Sequence, residues 1–230
     1  MQPNYVEIPI KEEKVIEGDV VEEKIADLAV KLHVEKAGTL SSLIASNRRQ
    51  EITDLTLSGS LNYDDIAIIK DMGTRARLKI LNLVNAEILV NAEIIYSLPP
   101  DFSMFEGCSE LLSITLPESL QRIASYAFQN CSSLTSITIP PNVTYIGENA
   151  FRNCSSLTSI TIPSNVTYIE SNAFENCFAL KEIYTNILIP PNLGDNCFSI
   201  NAKKTCLLYV PKGSKHDYWL KWGFDNIIEK

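Results

Sequence analysis

The chain has 230 residues and a formal net charge of −8 at pH 7. That balance disfavours nucleic acid or an anionic membrane as main partner, because both are held by a basic face. Apolar residues make up 45% and charged residues 21%, the composition of a globular chain with a sizeable core, and no run of about 20 apolar residues exists to span a bilayer.

The start, Met1-Gln2-Pro3-Asn4-Tyr5, has no basic stretch followed by an apolar one. The expectation is either a cytosolic protein or a chain whose signal has been removed. Residues 1 to about 28 are rich in charge, and the first half reads as an arm or irregular lead-in. From Val20 to Ala29, helical spacing places Val21, Ile25 and Leu28 on one side and Glu22, Glu23 and Lys24 on the wet side. Leu32-His33-Val34 alternates as a first strand. Gly38-Thr39 opens a short helix with Thr39 as N-cap before Leu40, Leu43 and Ile44. Ile52-x-x-Leu55-x-Leu57 is the next strand. Asn62 then caps a helix carrying Ile66, Ile69 and Met72, with Gly73 at C′ and Asp64 and Asp65 as acids of its first turn. Leu78-x-x-Leu81-x-Leu83 is the following strand.

From Met104 onward one phrase recurs. Ala127-Phe128-Gln129-Asn130-Cys131-Ser132-Ser133-Leu134-Thr135-Ser136-Ile137-Thr138-Ile139-Pro140 returns at Ala150 to Pro163, with looser copies from Met104 and Ala173, at a period of 23 residues. Within it Ile137 and Ile139 alternate with Thr138, which is strand spacing. Pro140 stops the strand, Asn142 to Ile146 turns the chain back, and Asn149-Ala150-Phe151 is one tight helical turn. A single unit of this kind cannot bury its own apolar edge, so neighbours must stack on it. The expected interior is a set of ladders: Phe105, Phe128, Phe151, Phe174 and Phe198; Cys108, Cys131, Cys154 and Cys177; Ile114, Ile137, Ile160 and Ile183. A fixed period in this range with Leu-x-x-Ile-x-Ile inside it points to a leucine-rich-repeat coil.

The fold class expected is therefore α/β: a right-handed leucine-rich-repeat solenoid with one parallel β-sheet. Short helices are expected on the convex side of the N-terminal units and irregular turns in the later ones. The division is 1–50 for an N-terminal arm and cap with the first strand, 51–103 for irregular helix-bearing repeats, 104–196 for the regular repeats, and 197–230 for the last rung and a C-terminal cap, all in one continuous domain. The last rung is Cys206 to Pro211. Ser214 then N-caps a helix from Lys215 to Trp222 that stops at Gly223, and this helix is expected to close the last sheet edge.

The outward positions of the strands supply the candidate binding face. They are Lys31 and His33, Asp54 and Thr56, Ile80 and Asn82, then Ser113 and Thr115. Ser136 and Thr138, Ser159 and Thr161, Glu182 and Tyr184, and Leu207 and Tyr209 follow. Ser and Thr suit an exposed flat strand with no further role. The functional alternative is a shallow face for protein or glycan, with Tyr184 and Tyr209 as anchors. Four cysteines mark a repeat position and read as small buried thiols, while Cys197 and Cys206 could pair if the protein is exported. The sequons at Asn130, Asn142, Asn153 and Asn165 fall at repeat positions and are explained by turn chemistry.

No Gly-x-Ser-x-Gly, P-loop, Gly-x-Gly-x-x-Gly or His-Glu-x-x-His occurs, so no catalytic residue is assigned and no cofactor is expected. No Cys-x-x-Cys occurs and His33 and His216 lie far apart, so no metal site is expected.

The motif Ala-Phe-x-Asn-Cys-x-x-Leu-x-x-Ile-x-Ile-Pro, followed by Asn-Val-Thr-x-Ile, resembles the BspA-like leucine-rich-repeat family of Bacteroides and related bacteria. Ala37-Gly38-Thr39-Leu40 through Leu57 to Asn62, and Leu208-Tyr209-Val210-Pro211-Lys212-Gly213-Ser214, resemble members of the same group. The resemblance spans about residues 30 to 230. It implies a secreted or surface-attached, non-enzymatic binding module, with relatives associated with adhesion to host matrix proteins. The expectation is a monomer with a protein partner. The alternative is a glycan-binding or scaffold component of an outer-membrane carbohydrate-handling system. The family supplies no binding residue to carry over.

Overall fold

The computed structural model describes residues 6–9, 27–90, 93–94 and 103–230. The strand β1 (Val6–Pro9) pairs antiparallel with β2 (Leu28–Val34). A short helix α1 (Leu40–Leu43), β3 (Ile52–Leu61), α2 (Tyr63–Arg75), β4 (Ile80–Val90) and β5 (Glu93–Ile94) follow. Then β6 (Ser113–Thr115), β8 (Ser136–Thr138), β10 (Ser159–Ile162), β12 (Glu182–Thr185) and β14 (Leu207–Val210) recur as front-wall strands. Between them lie two-residue strands, β7 (Arg122–Ile123), β9 (Tyr145–Ile146), β11 (Tyr168–Ile169) and β13 (Asn192–Leu193). Helix α3 (Ile200–Thr205) precedes β14, and α4 (Lys215–Trp222) and β15 (Asn226–Glu229) end the chain.

The front wall is parallel from β2 through β3, β4, β6 and β8, and again from β10 through β12, β14 and β15. Every pairing from β4 to β8 and from β10 to β14 joins repeat-equivalent residues, such as Ile114 with Ile137 and Ile160 with Ile183. Between β8 and β10 the strand ladder slackens. Thr158 N–H still reaches Thr135 O, at 3.4 Å, and Ser156 N–H reaches Ser132 O at 3.2 Å.

The expectation of a single sheet needs correction. A second parallel sheet, β7-β9-β11-β13, is made by Tyr-Ile and its equivalents on the return leg of each coil. It runs unbroken across the place where the front ladder slackens, so coil-to-coil hydrogen bonding continues there. Its inward residues Ile123, Ile146 and Ile169 are buried.

The interior is laddered as the period requires. Neighbouring rings of Phe105, Phe128, Phe151, Phe174 and Phe198 stack at 5.6, 5.2, 5.1 and 5.1 Å between centroids. All are fully buried, each contributing roughly 1.5–3 kcal/mol of apolar burial. Beside them the thiols of Cys131, Cys154 and Cys177 donate to the carbonyls of Phe105, Phe128 and Phe151 at 3.1, 3.2 and 3.2 Å. A cysteine is small enough to sit beside a ring and still satisfies a buried acceptor.

Asparagine serves the turns. Asn130, Asn149, Asn153, Asn172, Asn176 and Asn196 all adopt positive φ, which asparagine tolerates better than most residues. Asn153 donates to Asn130 and Asn176 to Asn153, at 2.7 and 2.9 Å. Asn142 and Asn165 donate to Glu118 O and Pro141 O. All four sequon amides are thus used in coil-to-coil bonding. Tyr126 occupies the position of Asn149 and Asn172 with φ of 61° and no such tolerance.

Four local expectations are corrected at the N-terminal end. Leu28 and Ala29 are strand, not the end of a helix; the helical expectation before Asp27 lies outside the described residues. Lys31 pairs with Thr56 and Ala29 with Asp54, a slip of two residues from the expected register; such a slip preserves which face each side chain takes. Thr39 caps nothing with its side chain; its hydroxyl donates to Lys36 O. The cap comes instead from Asp65, whose buried carboxylate accepts from Gly38 N–H, Leu40 N–H and Asn62 N–H at 2.6, 2.9 and 3.0 Å. Asn62 and Asp65 also form a capping box on α2. Gly73 is not a C′ stop but a helical residue, where a Cβ would stand 2.5 Å from Cys108 Sγ. The glycine lets α2 lie directly against the first coil.

At the C-terminal end, helix α3 shows that a late unit also carries helix. Ser214 precedes α4, but its hydroxyl donates to Pro211 O and not to the helix. Nor is β14 the last rung, for β15 adds in parallel to it. Helix α4 seals the aromatic ladder rather than the sheet edge. Trp222 and Phe224 lie 5.8 and 5.3 Å from Phe198, and Tyr218 and Trp222 donate to Ile187 O and Pro191 O at 2.9 and 3.0 Å.

Two stability changes follow from this packing. Ile160→Ala, which opens a gap between coils, is expected to cost about 2–5 kcal/mol in a urea titration; an unchanged midpoint contradicts the ladder. Tyr126→Asn is expected to raise stability by about 1 kcal/mol by relieving the left-handed backbone, read as a higher melting midpoint.

Candidate binding face

Strand alternation turns Ile160, Ile183, Leu208 and Ile227 inward, so the residues between them form the outward face. The registers align Ser159, Glu182, Leu207 and Asn226 in one row, and Thr161, Tyr184, Tyr209 and Ile228 in the next. Ser136 and Thr138 continue these rows across the slack step. All seven predicted residues, Ser136, Thr138, Ser159, Thr161, Glu182, Tyr184 and Tyr209, therefore share one side of the front wall, and each is exposed or half-buried.

The rows change character along the wall. Ser113, Ser136 and Ser159, with Thr115, Thr138 and Thr161, make a small hydroxyl surface. At β12 it gives way to Tyr184, Tyr209 and Ile228, with Leu207 beside them. The Tyr184 and Tyr209 rings stack at 4.6 Å with planes 4° apart. Both phenols donate to one carboxylate, Tyr184 to Glu182 Oε2 at 2.8 Å and Tyr209 to Glu182 Oε1 at 3.3 Å. Donation to Glu182 pushes the Tyr184 pKa up to about 12, since the bond is lost with the proton. Tyr209 is raised too, first by burial and then by Glu182. The Lys230 ammonium lies 3.7 Å from the Tyr209 centroid and 4.8 Å from that of Tyr184.

A shallow depression of about 550 Å³ borders Glu182, lined by Thr158, Ser159, Lys181, Thr205 and Leu207 as well. A hollow of about 410 Å³ at the opposite end, lined by Leu28, Val30, Lys31, Leu43 and Ile52 among others, touches the outward position Lys31 but none of the seven residues from Ser136 to Tyr209.

Sequence reasoning missed Ile228 and Lys230, because no repeat phrase marks β15. The available signal was Asn226-Ile227-Ile228-Glu229, four residues suited to a strand beyond a glycine stop. It also missed the return-leg face. There Arg122 lies 3.9 Å over Tyr145, Tyr145 stacks on Tyr168 at 5.9 Å, and the Tyr145 phenol donates to Glu170.

All six cysteines are buried and unbridged, Cys197 and Cys206 included. Burial pushes the thiols of Cys108 and Cys177 up to about 12 and those of Cys131, Cys154, Cys197 and Cys206 upward as well. A thiol held protonated in a dry interior is a poor nucleophile and a poor metal ligand. Among the described residues no cluster of three or more His, Cys, Asp and Glu could hold a metal ion. No helix among them is long and apolar enough to cross a membrane.

Residues 101–204 match the model of the BspA type leucine rich repeat region, in six copies. This stretch is a BspA-type leucine-rich-repeat region. It contains β6 through β13, with four of the front-wall strands, the whole return-leg sheet and the phenylalanine ladder. The chain is similar to a solved leucine-rich repeat protein from Bacteroides ovatus, at 23% identity and a TM-score of 0.48, covering 87% of this chain and 41% of that one. It thus spans about two fifths of the Bacteroides protein. A leucine rich repeat protein of T. pallidum is 17% identical with a TM-score of 0.37, over 90% of this chain and 93% of that one. A leucine rich cell surface protein of Faecalibacterium prausnitzii is 20% identical with a TM-score of 0.38, over 79% and 58%. No curated protein matches the chain.

The buried thiols set an alkaline limit. Their folded pKa values lie above the ordinary 9.0, so their stabilising effect is complete below pH 9 and declines as pH rises from there toward about 12. The urea midpoint is expected to hold near pH 8 and fall by about pH 10.5. An aromatic disulfide reagent at pH 8 is expected to label none of the six cysteines in the native chain and all of them in urea.

Proposed function

We propose that the outward face of β10, β12, β14 and β15 is the protein-binding surface of a non-enzymatic, secreted or surface-attached adhesion module, acting as a monomer. The observation that carries it is the step from hydroxyls to Tyr184, Tyr209, Leu207 and Ile228 on one flat wall. Partly exposed tyrosines beside apolar side chains, with a carboxylate and an ammonium at the rim, have the make-up of an interface centre. Export rests on the family resemblance, and so does the choice of a host matrix protein as partner. The same reading takes the coils as a right-handed solenoid, the hand that parallel crossovers favour.

The glycan alternative has less support at the tyrosines. A sugar stacks on an open ring face, whereas these two rings stack on each other. The hydroxyl rows would then have to do the binding.

Purified host matrix proteins and a glycan array distinguish the two. The wild type is expected to bind protein, and Tyr184→Ala with Tyr209→Ala together to lose about tenfold or more in affinity, as truncated hot spots do. Undiminished protein binding by the double variant, or binding to glycans alone, refutes the proposal.

A further inference from the structure

Among the described residues no other cation of the front wall lies over its outward rings as Lys230 does. Its backbone N–H donates to Val210 O at 2.9 Å, which holds the chain against β14 one residue beyond the paired span of β15. Its side chain is exposed, so it can swing away without opening the core. Its ammonium contacts both tyrosine rings, and a hollow of about 50 Å³ lies among Tyr184, Thr185, Asn186, Tyr209, Val210 and Lys230. Lys230 borders this hollow, so open space lies beside the ammonium where it meets the rings.

The return-leg face provides the contrast. There a cation, an aromatic pair and a glutamate also meet, but Arg122 sits directly in register with Tyr145 as part of the coil. On the front wall the register neighbour of Tyr209 is Ile228, and the cation arrives from outside the strand pairing. The first cation is built in; the second is exchangeable.

The electrostatics favour a positive guest. Phenols that donate to a carboxylate have electron-rich rings, and such rings attract cations through their faces. Among the described residues no salt bridge engages Glu182; its oxygens accept only from the two phenols. The chain as a whole carries −8, which draws basic partners toward it.

We propose that Tyr184, Tyr209 and Glu182 form a seat for a basic side chain, a lysine or arginine, of a protein partner, and that Lys230 fills this seat in the unbound chain. The inference deepens the proposed protein-binding face and rests on it. Binding exchanges one cationic head group for another, so Lys230 acts as an internal competitor.

The test uses an acetylated, amidated Gly-Ser-Lys-Ser-Gly peptide and its norleucine counterpart, titrated at physiological salt and followed by the ring-proton signals of Tyr184 and Tyr209. Lys230→Met retains the backbone bond to Val210 and is expected to melt with the wild type. It is expected to bind the lysine peptide about two- to fivefold more tightly than the wild type, the size of an exposed cation–π contact. The norleucine peptide is expected to leave the signals unmoved. Adding Tyr184→Leu and Tyr209→Leu to Lys230→Met is expected to abolish the gain, read by calorimetry. Equal affinity of wild type and Lys230→Met, or equal response to both peptides, overturns the seat. If that happens while Tyr184→Ala with Tyr209→Ala still loses matrix-protein binding, the face stands and the seat alone falls.

Discussion

Stacking like on like is the constraint from which the molecule follows. A 23-residue coil exposes an apolar edge on both sides, and only another coil of the same shape covers it. A phenylalanine in one coil must therefore meet a phenylalanine in the next, at the spacing the strands impose. The rings keep close to 5 Å because the parallel strands beside them are about 4.8 Å apart. Cysteine completes the arrangement. Valine would fill the volume but forfeit the thiol donor, leaving the phenylalanine carbonyl with only the backbone N–H three residues on. Serine would supply the donor but bury a more polar group. The thiol does both jobs in the space available.

The ends of such a stack have no natural neighbour, and the two ends solve this differently. At the start, Asp65 gathers three backbone N–H groups from the loop before α1 and the start of α2, so one buried carboxylate fixes a long irregular unit. At the finish, Tyr218, Trp222 and Phe224 bring the aromatic ladder to a close with tilted and edge-on rings. Both solutions replace a missing coil by a specific local contact.

Much of this was legible in the sequence, for a physical reason. A side chain with the same neighbours in every coil is held to the same identity, so Phe128, Cys131 and Ile137 announce themselves by recurrence. The outward rows could be read for the same reason, through the alternation in Ser-Ile-Thr-Ile and Glu-Ile-Tyr-Thr. What escaped was whatever recurrence does not constrain. Tyr145-Ile146 is too short to show a strand period, so the return-leg sheet was invisible. Leu28, Val30, Leu32 and Val34 offer equally good partners at every second residue, so the register of β2 was ambiguous by two. Asp65 reads as an ordinary first-turn acid, because its reach across 25 residues to Leu40 leaves no local mark. Ile228 and Lys230 lie beyond the last phrase, and the candidate face was accordingly seen without its outer border.

The slack step between β8 and β10 has a mechanical meaning. With the return-leg strands still joined, β9 to β11, the stack is fastened on one side and looser on the other at a single level. A sheet fastened in this way bends more readily there than anywhere along its regular span, as a bound book opens at a weakened page. That crease lies within the hydroxyl rows, between Ser136-Thr138 and Ser159-Thr161 and one strand before the aromatic rows begin at β12, so the four-stranded unit that carries the tyrosines can tilt as a body while keeping its own shape.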